Sequence, residues 1–344
     1  MGAPKLLCST KGMSRERWLE CRAHGPDDDI EYTLGGSDVS VVFGVNPWTT
    51  LLELYRIKKG LMEPDESGNM NQKEMGILME PIVAHWYEKL TDNAVIEDYG
   101  LYQHASRPYA LANLDYRVRE PGGTKGILEC KTTSWHKAGD WADGAIPYHY
   151  ELQVRFYMAV MDLEFVDIAC MWGANPEADM AIRRVNRDRD IETMIFEHLD
   201  EFIERLRTDT PPDMSGVNPG LAMKALARIY GASLPGQPTI EFGKKHERAL
   251  RRIAALQEEK SDLERRVREN DKEVTALSVK IAEVMNTHEH GVLETASDKL
   301  VVDFVTRFTR RVDSDLLKKS HPHTYEAVLK TTGSRKVKVA VQTK

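Results

Sequence analysis

The 344-residue sequence predicts an α/β fold, a sheet flanked by helices on both faces, followed by a long heptad helix and a small β-containing C-terminal region. Three observations predict it. Helical patterns fill most of residues 14–90 and return at 147–163 and 191–207, while the stretch from Ala94 to Thr133 carries β-branched and aromatic residues punctuated by turns. Such an order layers helices on a sheet. A Pro/Gly-rich segment containing TPPD, NPG and LPGQP then interrupts the pattern. Beyond it, from Ala249 to Val284, apolar residues recur at alternating spacings of three and four.

Residues 14–24, SRERWLECRAH, read as a helix opened by a Ser cap. Gly35-Gly36 makes a turn before a short apolar helix over 37–43, with Ser37 in the capping position. After a Gly/Pro break, a further helix starts at Thr49 or Thr50, and PDESGN (64–69) is a loop. Met70–Leu90 is helical, and Pro81 inside it kinks the helix or marks a restart. VIEDYGLYQH, YALANLDYRVRE and GILECKTT read as strands, with a hairpin turn at Pro121-Gly122-Gly123. Pro147–Leu163 is a helix with Pro in its first turn. EFVDIACMWG and MAIRRVNRD are strands, and Ile191–Arg207 is a helix. These elements divide the chain into a core over 1–210, a linker over 211–240 that holds one helix at 220–231, a heptad helix over 241–290 and a basic region over 291–344.

The heptad seam includes Lys260 and Asn270, and two readings stand beside each other: a solvated arm and an oligomer contact. After Gly291 come strand-like segments, a short helix and a basic end. Between Lys299 and Lys344, 11 Lys+Arg face 4 Asp+Glu, including Arg307, Arg310, Arg311, Lys318, Lys319, Arg335, Lys336 and Lys338. This region reads either as a DNA-tracking or partner-docking surface or as a solvated β-rich appendage with incidental charge.

Composition narrows the class. Charged residues make up 29% and hydrophobic residues 41%, no apolar run reaches the length of a membrane span, and the N-terminus lacks the apolar core of a signal peptide. A cytoplasmic location is expected. Cys8, Cys21, Cys130 and Cys170 form no C-x-x-C pair, so free thiols are expected and not a zinc site or an iron–sulfur cluster. The net charge is −7, unevenly spread: residues 244–344 hold 22 Lys+Arg against 16 Asp+Glu, the remainder 25 against 38. Local clusters decide nucleic-acid binding, so the overall sign does not exclude it.

The chemistry gathers around GILECKTTS, residues 126–134. In a strand, residues i and i+2 share a face. Ile127, Glu129 and Lys131 therefore project together, and Leu128 and Cys130 point the other way, into a core. An isolated E-x-K is ordinarily a solvated ion pair. Here Asp115, in LANLDYRV, lies one hairpin upstream, and an acid at one strand end converges with E-x-K on the neighbouring strand. Two carboxylates and a main-chain carbonyl suit a hard divalent cation such as Mg²⁺, with the lysine beside it to hold or polarise a water. Gln153 and Tyr157 are i and i+4 on the following helix and share its face, and Glu80 lies in GILMEP on the helix before the sheet. Trp48 and Trp135 are read as packing residues.

These motifs in this order resemble the PD-(D/E)-x-K nuclease superfamily and, within it, the lambda-exonuclease-like YqaJ viral recombinase family. The resemblance spans about residues 14–210 and rests on LGGSDVS, GVNPW, GILMEP, LANLDYR, ILECKTT and ELQVRFYM. It implies a restriction-endonuclease-like core with a central mixed sheet. It also implies an enzyme that digests linear double-stranded DNA from 5′ to 3′ and leaves 3′ single strands for phage-type recombination. By the same resemblance Asp115, Glu129 and the Cys130 main-chain carbonyl hold metal, Glu80 serves a second ion or its water, and Lys131 orients the attacking water. Gln153 and Tyr157 support the site, and Arg22 and Ser37 receive the DNA 5′-phosphate, although the nine residues GPDDDIEYT separate Arg22 from GGSD. Two Mg²⁺ ions (or Mn²⁺ in their place), a single-strand annealing protein as partner, a ring-shaped homotrimer and a phage or prophage setting in a bacterial host are the associated expectations. Two other readings stay open: a nuclease of this superfamily acting on single strands or other DNA ends, and a non-catalytic scaffold that uses the heptad helix and keeps a relic nuclease fold.

Overall fold

The computed structural model describes residues 2–64, 70–330 and 337–341. The loop expected at PDESGN beyond Pro64, and Arg335 and Lys336 of the basic end, lie outside the described residues. The chain divides into two compact units, Met1–Gly231 and Ala232–Lys344.

The first unit opens with β1 (Lys5–Ser9) and α1 (Arg15–His24), whose Ser14 cap accepts from the Arg17 amide. Next come α2 (Gly36–Val42), α3 (Leu51–Lys58) and α4 (Met70–Leu90), which runs through Pro81. Thr50 starts α3 in a reciprocal box with Glu53. Two of the expected strand stretches each split in two. VIEDYGLYQH becomes β2 (Ala94–Glu97) and β3 (Gly100–Gln103), and YALANLDYRVRE becomes β4 (Leu111–Asn113) and β5 (Tyr116–Arg119). Then follow β6 (Lys125–Thr132), α5 (Tyr148–Met161), β7 (Phe165–Met171), β8 (Met180–Asn186), α6 (Arg189–Arg207) and α7 (Pro219–Tyr230).

The halves of each split stretch enter different sheets. β1, β3 and β4 form a small antiparallel sheet, and β2-β5-β6-β7-β8 form the central one. Within the central sheet β6 and β7 run parallel and the other neighbours antiparallel, so it is mixed. Asp115 sits where the chain leaves the small sheet and enters the central one.

β6 is buried on both faces, and its alternation divides the core. Ile127 joins one apolar cluster with Leu152 and Phe156 of α5, Val39 and Val41 of α2, and Ile195, Leu199 and Phe202 of α6. Leu128 and Cys130 join another with Val83, Ala84 and Tyr87 of α4. Helices thus cover both faces of the sheet. On the α4 side the buried carboxylate of Asp167 accepts from the Tyr87 hydroxyl at 2.5 Å and from Arg184 at 2.8 and 2.7 Å. Its charge is partnered, as burial requires.

α7 corrects the expected linker. It lies inside the 211–240 segment, yet Ala225 is buried and Arg228 pairs with the buried Glu53 of α3 at 2.7 Å. A contact across this sequence distance ties the helix to the first unit and moves the boundary from residue 210 to Gly231.

The second unit holds α8 (Glu247–Met285), a hairpin of β9 (His290–Glu294) and β10 (Lys299–Asp303), and two short helices, α9 (Ser314–Ser320) and α10 (Pro322–Val328), where the sequence suggested one. No helix among the described residues is long and apolar enough to cross a membrane.

Arg187, at the end of β8, holds the buried Glu192 at 2.8 and 3.1 Å and Asp162 at 2.7 Å. Arg187→Ala strands the Glu192 carboxylate in the core, so denaturant unfolding should show a loss of about 3–5 kcal/mol, the cost of breaking a buried pair from one side. A loss below about 1 kcal/mol would show that Glu192 reaches water.

Candidate active site

The β5–β6 hairpin sets the geometry. Its antiparallel register pairs Tyr116 with Leu128 and Arg119 with Lys125. One residue ahead of β5, Asp115 therefore lies beside Glu129, and its Oδ2 accepts from the Cys130 amide at 2.8 Å. Glu129 is 2% exposed. Its Oε1 accepts from Lys131 Nζ at 2.5 Å and from Gln153 Nε2 at 2.7 Å. Gln153 Nε2 also lies 3.3 Å from the Tyr157 hydroxyl, one turn along α5. The other Glu129 oxygen, Oε2, is buried and has no hydrogen-bond partner among the described residues.

The charges are unbalanced. Burial pushes the Asp115 carboxyl well above its ordinary range, and the neighbouring Glu129 charge adds to the shift. Glu80 of α4 is pushed up to about 7, first by burial and then by Glu129, with Lys131 opposing. Burial alone would lower the Lys131 ammonium, but the Glu129 and Asp115 carboxylates outweigh it and hold the group above its ordinary value. Lys131 is therefore a cation, poised 5.0 Å over the Tyr150 ring. Tyr157 is raised by burial and then by Glu129, so its phenol keeps its proton.

A hard divalent cation fits these donors. It would meet the orphaned Glu129 oxygen and relieve carboxylates that burial disfavours. Among the described residues no group of three or more His, Cys, Asp or Glu side chains could hold a metal ion. Asp115, Glu129 and a main-chain carbonyl make a set that needs only two such side chains. Glu80 is an electrostatic neighbour of that set.

Arg22 and Ser37 reach the same end of the domain. A Cβ at Gly35 would stand 2.7 Å from Arg22 Nη2, and a Cβ at Gly36 would stand 2.6 Å from the Tyr157 ring and 2.8 Å from Gln153 Cγ. The start of α2 thus lies between Arg22 and the pair on α5. The GPDDDIEYT loop closes on itself: Thr33 Oγ1 donates to the carbonyls of Arg22 at 2.5 Å and Ala23 at 2.9 Å. Nine intervening residues therefore do not separate Arg22 from the glycines in space. Ser37 does not take the expected cap position. Gly35 is the cap, its N–H donates to Asp38 Oδ2 at 3.0 Å, and Ser37 is exposed one residue into the helix.

His149 and Tyr150 were not singled out in the sequence. His149 lies one turn before Gln153, its Nε2 is buried with no partner among the described residues, and its ring lies 4.0 Å from Tyr150 and 5.3 Å from Trp48. The i, i+4, i+8 spacing of 149, 153 and 157 on α5 was the available signal. Trp48 and Trp135, read as packing residues, are 51% and 67% exposed, and Trp48 packs edge-on against His149.

Two outcomes follow from this geometry. Gly36→Ala inserts a methyl between Tyr157 and Gln153, which should displace the Gln153–Glu129 hydrogen bond and cut turnover by about 10²-fold, the scale of a misplaced positioning group. An unchanged rate would show that Gln153 has slack. The second concerns pH. The unfolded chain ionises Glu80 near 4.5, but the fold holds the proton up to about 7. In chelator, the folded state then binds more protons over this window, and stability falls as pH rises through it. The melting temperature should drop between about pH 5 and about pH 7.5 by more in the wild type than in Glu80→Gln, and added Mg²⁺ should raise it more at the higher pH. Identical pH profiles in the two proteins would contradict the burial of Glu80.

Comparisons with known proteins cover this region. Residues 17–164 match the YqaJ-like viral recombinase domain. The match includes Arg22, Ser37, Glu80, Asp115, Glu129, Lys131, Gln153 and Tyr157. The chain is 29% identical over 337 residues, 96% of each chain, to the uncharacterized protein YqaJ of Bacillus subtilis (strain 168). Among solved structures it is similar to an alkaline exonuclease from Laribacter hongkongensis, with TM-score 0.46 and 19% identity over 57% of this chain and 94% of that one. It is also similar to a phage related exonuclease from Haemophilus somnus 129PT, with TM-score 0.39 and 13% identity over 52% of this chain and 96% of that one. Residues 17–164 are thus similar to the YqaJ-like viral recombinase domain, and the likeness to the Bacillus subtilis protein runs over nearly the whole chain.

Proposed function

We propose that the protein is a divalent-cation-dependent exonuclease that digests one strand of linear double-stranded DNA from its 5′ end and leaves a 3′ single strand. One observation carries this reading: the buried Glu129, tied on one oxygen by Lys131 and Gln153 and orphaned on the other, beside Asp115. The match to a viral recombinase domain supports DNA as the substrate in this reading.

Asp115, Glu129 and the Cys130 carbonyl would hold one Mg²⁺ or Mn²⁺ ion, and Glu80 would serve a second through water. Such an ion supplies Lewis-acid stabilisation of the phosphate and lowers the pKa of a bound water. The chain's own groups do the rest. Lys131 is held as an ammonium, so it donates to a water or to a phosphate oxygen and does not take the proton. Gln153 fixes the rotamer of Glu129, and Tyr157, packed against Gly36, limits the movement of Gln153. Arg22 and the exposed Ser37 hydroxyl would receive the terminal 5′-phosphate. The 3′ strand would pass to a single-strand annealing protein in phage-type recombination. The basic C-terminal residues would add phosphate contacts whose strength falls steeply with salt.

The test is release of acid-soluble nucleotide from end-labelled linear duplex. Lys131→Ala and Glu129→Gln should each lower the Mg²⁺-dependent rate by at least about 10³-fold while leaving the fold intact by circular dichroism, in line with the several kcal/mol that such groups contribute. Near-normal turnover in Lys131→Ala would remove it from the chemistry. Duplexes with a 5′-phosphate should be digested at least about tenfold faster than 5′-hydroxyl duplexes, and Arg22→Ala should abolish that difference, because a charge-assisted contact is worth about 1.5–3 kcal/mol. Equal rates on both ends in the wild type would exclude the phosphate pocket.

A further inference from the structure

We propose that α8 is one strand of a parallel, two-stranded coiled coil formed with a second copy of this chain. The nuclease reading does not use this helix, and the proposal stands independently of that reading. α8 has 39 residues, and Met285, its last residue, is its one buried residue among those described. At 1.5 Å per residue it is about 58 Å long. A helix of this length draws most of its stability from packing an apolar face. Its apolar face is open: Leu263, Val267 and Val274 are 50%, 58% and 61% exposed.

The spacing and the residue types together name the occupant. From Ala249 to Val284 the seam steps by four and three without a break. A strict period of 3.5, against the 3.6 of a straight helix, is the condition for a left-handed supercoil. One set of seam positions, a in the heptad, is Ile253, Lys260, Val267, Val274 and Ile281. The other set, d, is Ala249, Leu256, Leu263, Asn270, Leu277 and Val284. Apart from Lys260, every a residue is β-branched, and three d residues are Leu. That division favours two parallel strands over three or four. It is also self-complementary, since one chain supplies both sides.

The polar residues fix the register. In the parallel arrangement Lys260 meets its own counterpart and Asn270 meets Asn270. Each Lys260 lies 3.7 Å from Glu264 of its own helix, and Glu259 and Glu264 flank the seam there from both copies. Further along, Arg266 at a g position faces Asp271 at the e position five residues on in the other strand. A shift of one heptad would set Lys260 against Val267. Two antiparallel registers overlap this seam equally: one sets Lys260 against Leu277, and the other sets Lys260 against Asn270 but Glu259 against Glu273 and Arg252 against Lys280. The heptad shift and the first antiparallel register desolvate an ammonium against an apolar side chain, and the second antiparallel register sets like charges against each other along the seam.

One end of the helix has another neighbour. Gln257 exchanges hydrogen bonds with the Val337 carbonyl and the Val339 amide at 2.9 and 3.1 Å, so the C-terminal segment runs beside an e position. Among the described residues the seam beyond Leu256 is left uncovered.

Cysteine cross-linking in the full-length chain tests the proposal. Leu277→Cys places a thiol at a d position, where equal residues of two parallel strands meet. Mild oxidation should convert most of the protein to a reductant-sensitive two-chain species on a denaturing gel. Val279→Cys, at an outward position, should give at least about tenfold less, and the unmodified chain sets the background of its native cysteines. Adding Val267→Glu and Val274→Glu to Leu277→Cys should reduce the cross-link by at least about tenfold. Leu263→Cys provides the same readout at a second d position should Leu277→Cys fold poorly. Equal cross-linking at 277 and 279, or none at either 277 or 263, overturns the coiled coil. A cross-link that forms only when Leu277→Cys chains are mixed with Lys260→Cys or Ile253→Cys chains overturns the parallel orientation.

Discussion

A carboxylate placed inside the central sheet governs the candidate site. Removing Glu129 from water costs several kcal/mol unless its charge is partnered. Lys131 and Gln153 partner one oxygen and leave the other bare. Asp115 and Glu80 add two more acidic groups to the neighbourhood of the same ammonium. Three carboxyl groups around one lysine leave a deficit of positive charge that a divalent cation would close. Without such an ion, protonation closes part of it, which is why burial and mutual repulsion raise the Asp115 and Glu80 carboxyls.

The rest of the first unit serves to keep that arrangement rigid. β6 is buried on both faces at Ile127, Leu128 and Cys130, so its backbone cannot shift at Glu129 without disturbing two apolar clusters. The β5–β6 register carries Asp115 to the level of Glu129, and the Cys130 amide holds it there. α5 brings Gln153 to the carboxylate, and the close approach of Gly36 keeps Tyr157 and Gln153 in place. The sheet is a clamp for one small cluster of charges.

Strand periodicity made the site legible in the sequence. Alternation alone separates Ile127, Glu129 and Lys131 from Leu128 and Cys130, and helical spacing joins Gln153 to Tyr157. What stayed hidden depends on contacts between distant residues. β1 is too short in KLLCS to stand out, and it exists because it pairs with β3. The breaks at Gly100 and Asp115 look like ordinary strand interruptions, yet each moves the chain from one sheet to another. The placement of Arg22 depends on Thr33 folding its loop back, and the place of α7 depends on the pair between Arg228 and Glu53. Local pattern carries none of these. The heptad of α8 was legible in full, because its period needs no tertiary context.

On the proposed function, the bare oxygen of Glu129 binds a divalent cation. Calorimetric titration of Mn²⁺ into the purified, chelator-stripped protein at about pH 7.5, without DNA, tests it most directly. Wild-type protein should bind Mn²⁺, and Glu129→Gln and Asp115→Asn should each weaken binding by at least about tenfold, with Glu80→Gln affecting a weaker second event. Wild-type affinity in Glu129→Gln would contradict the account.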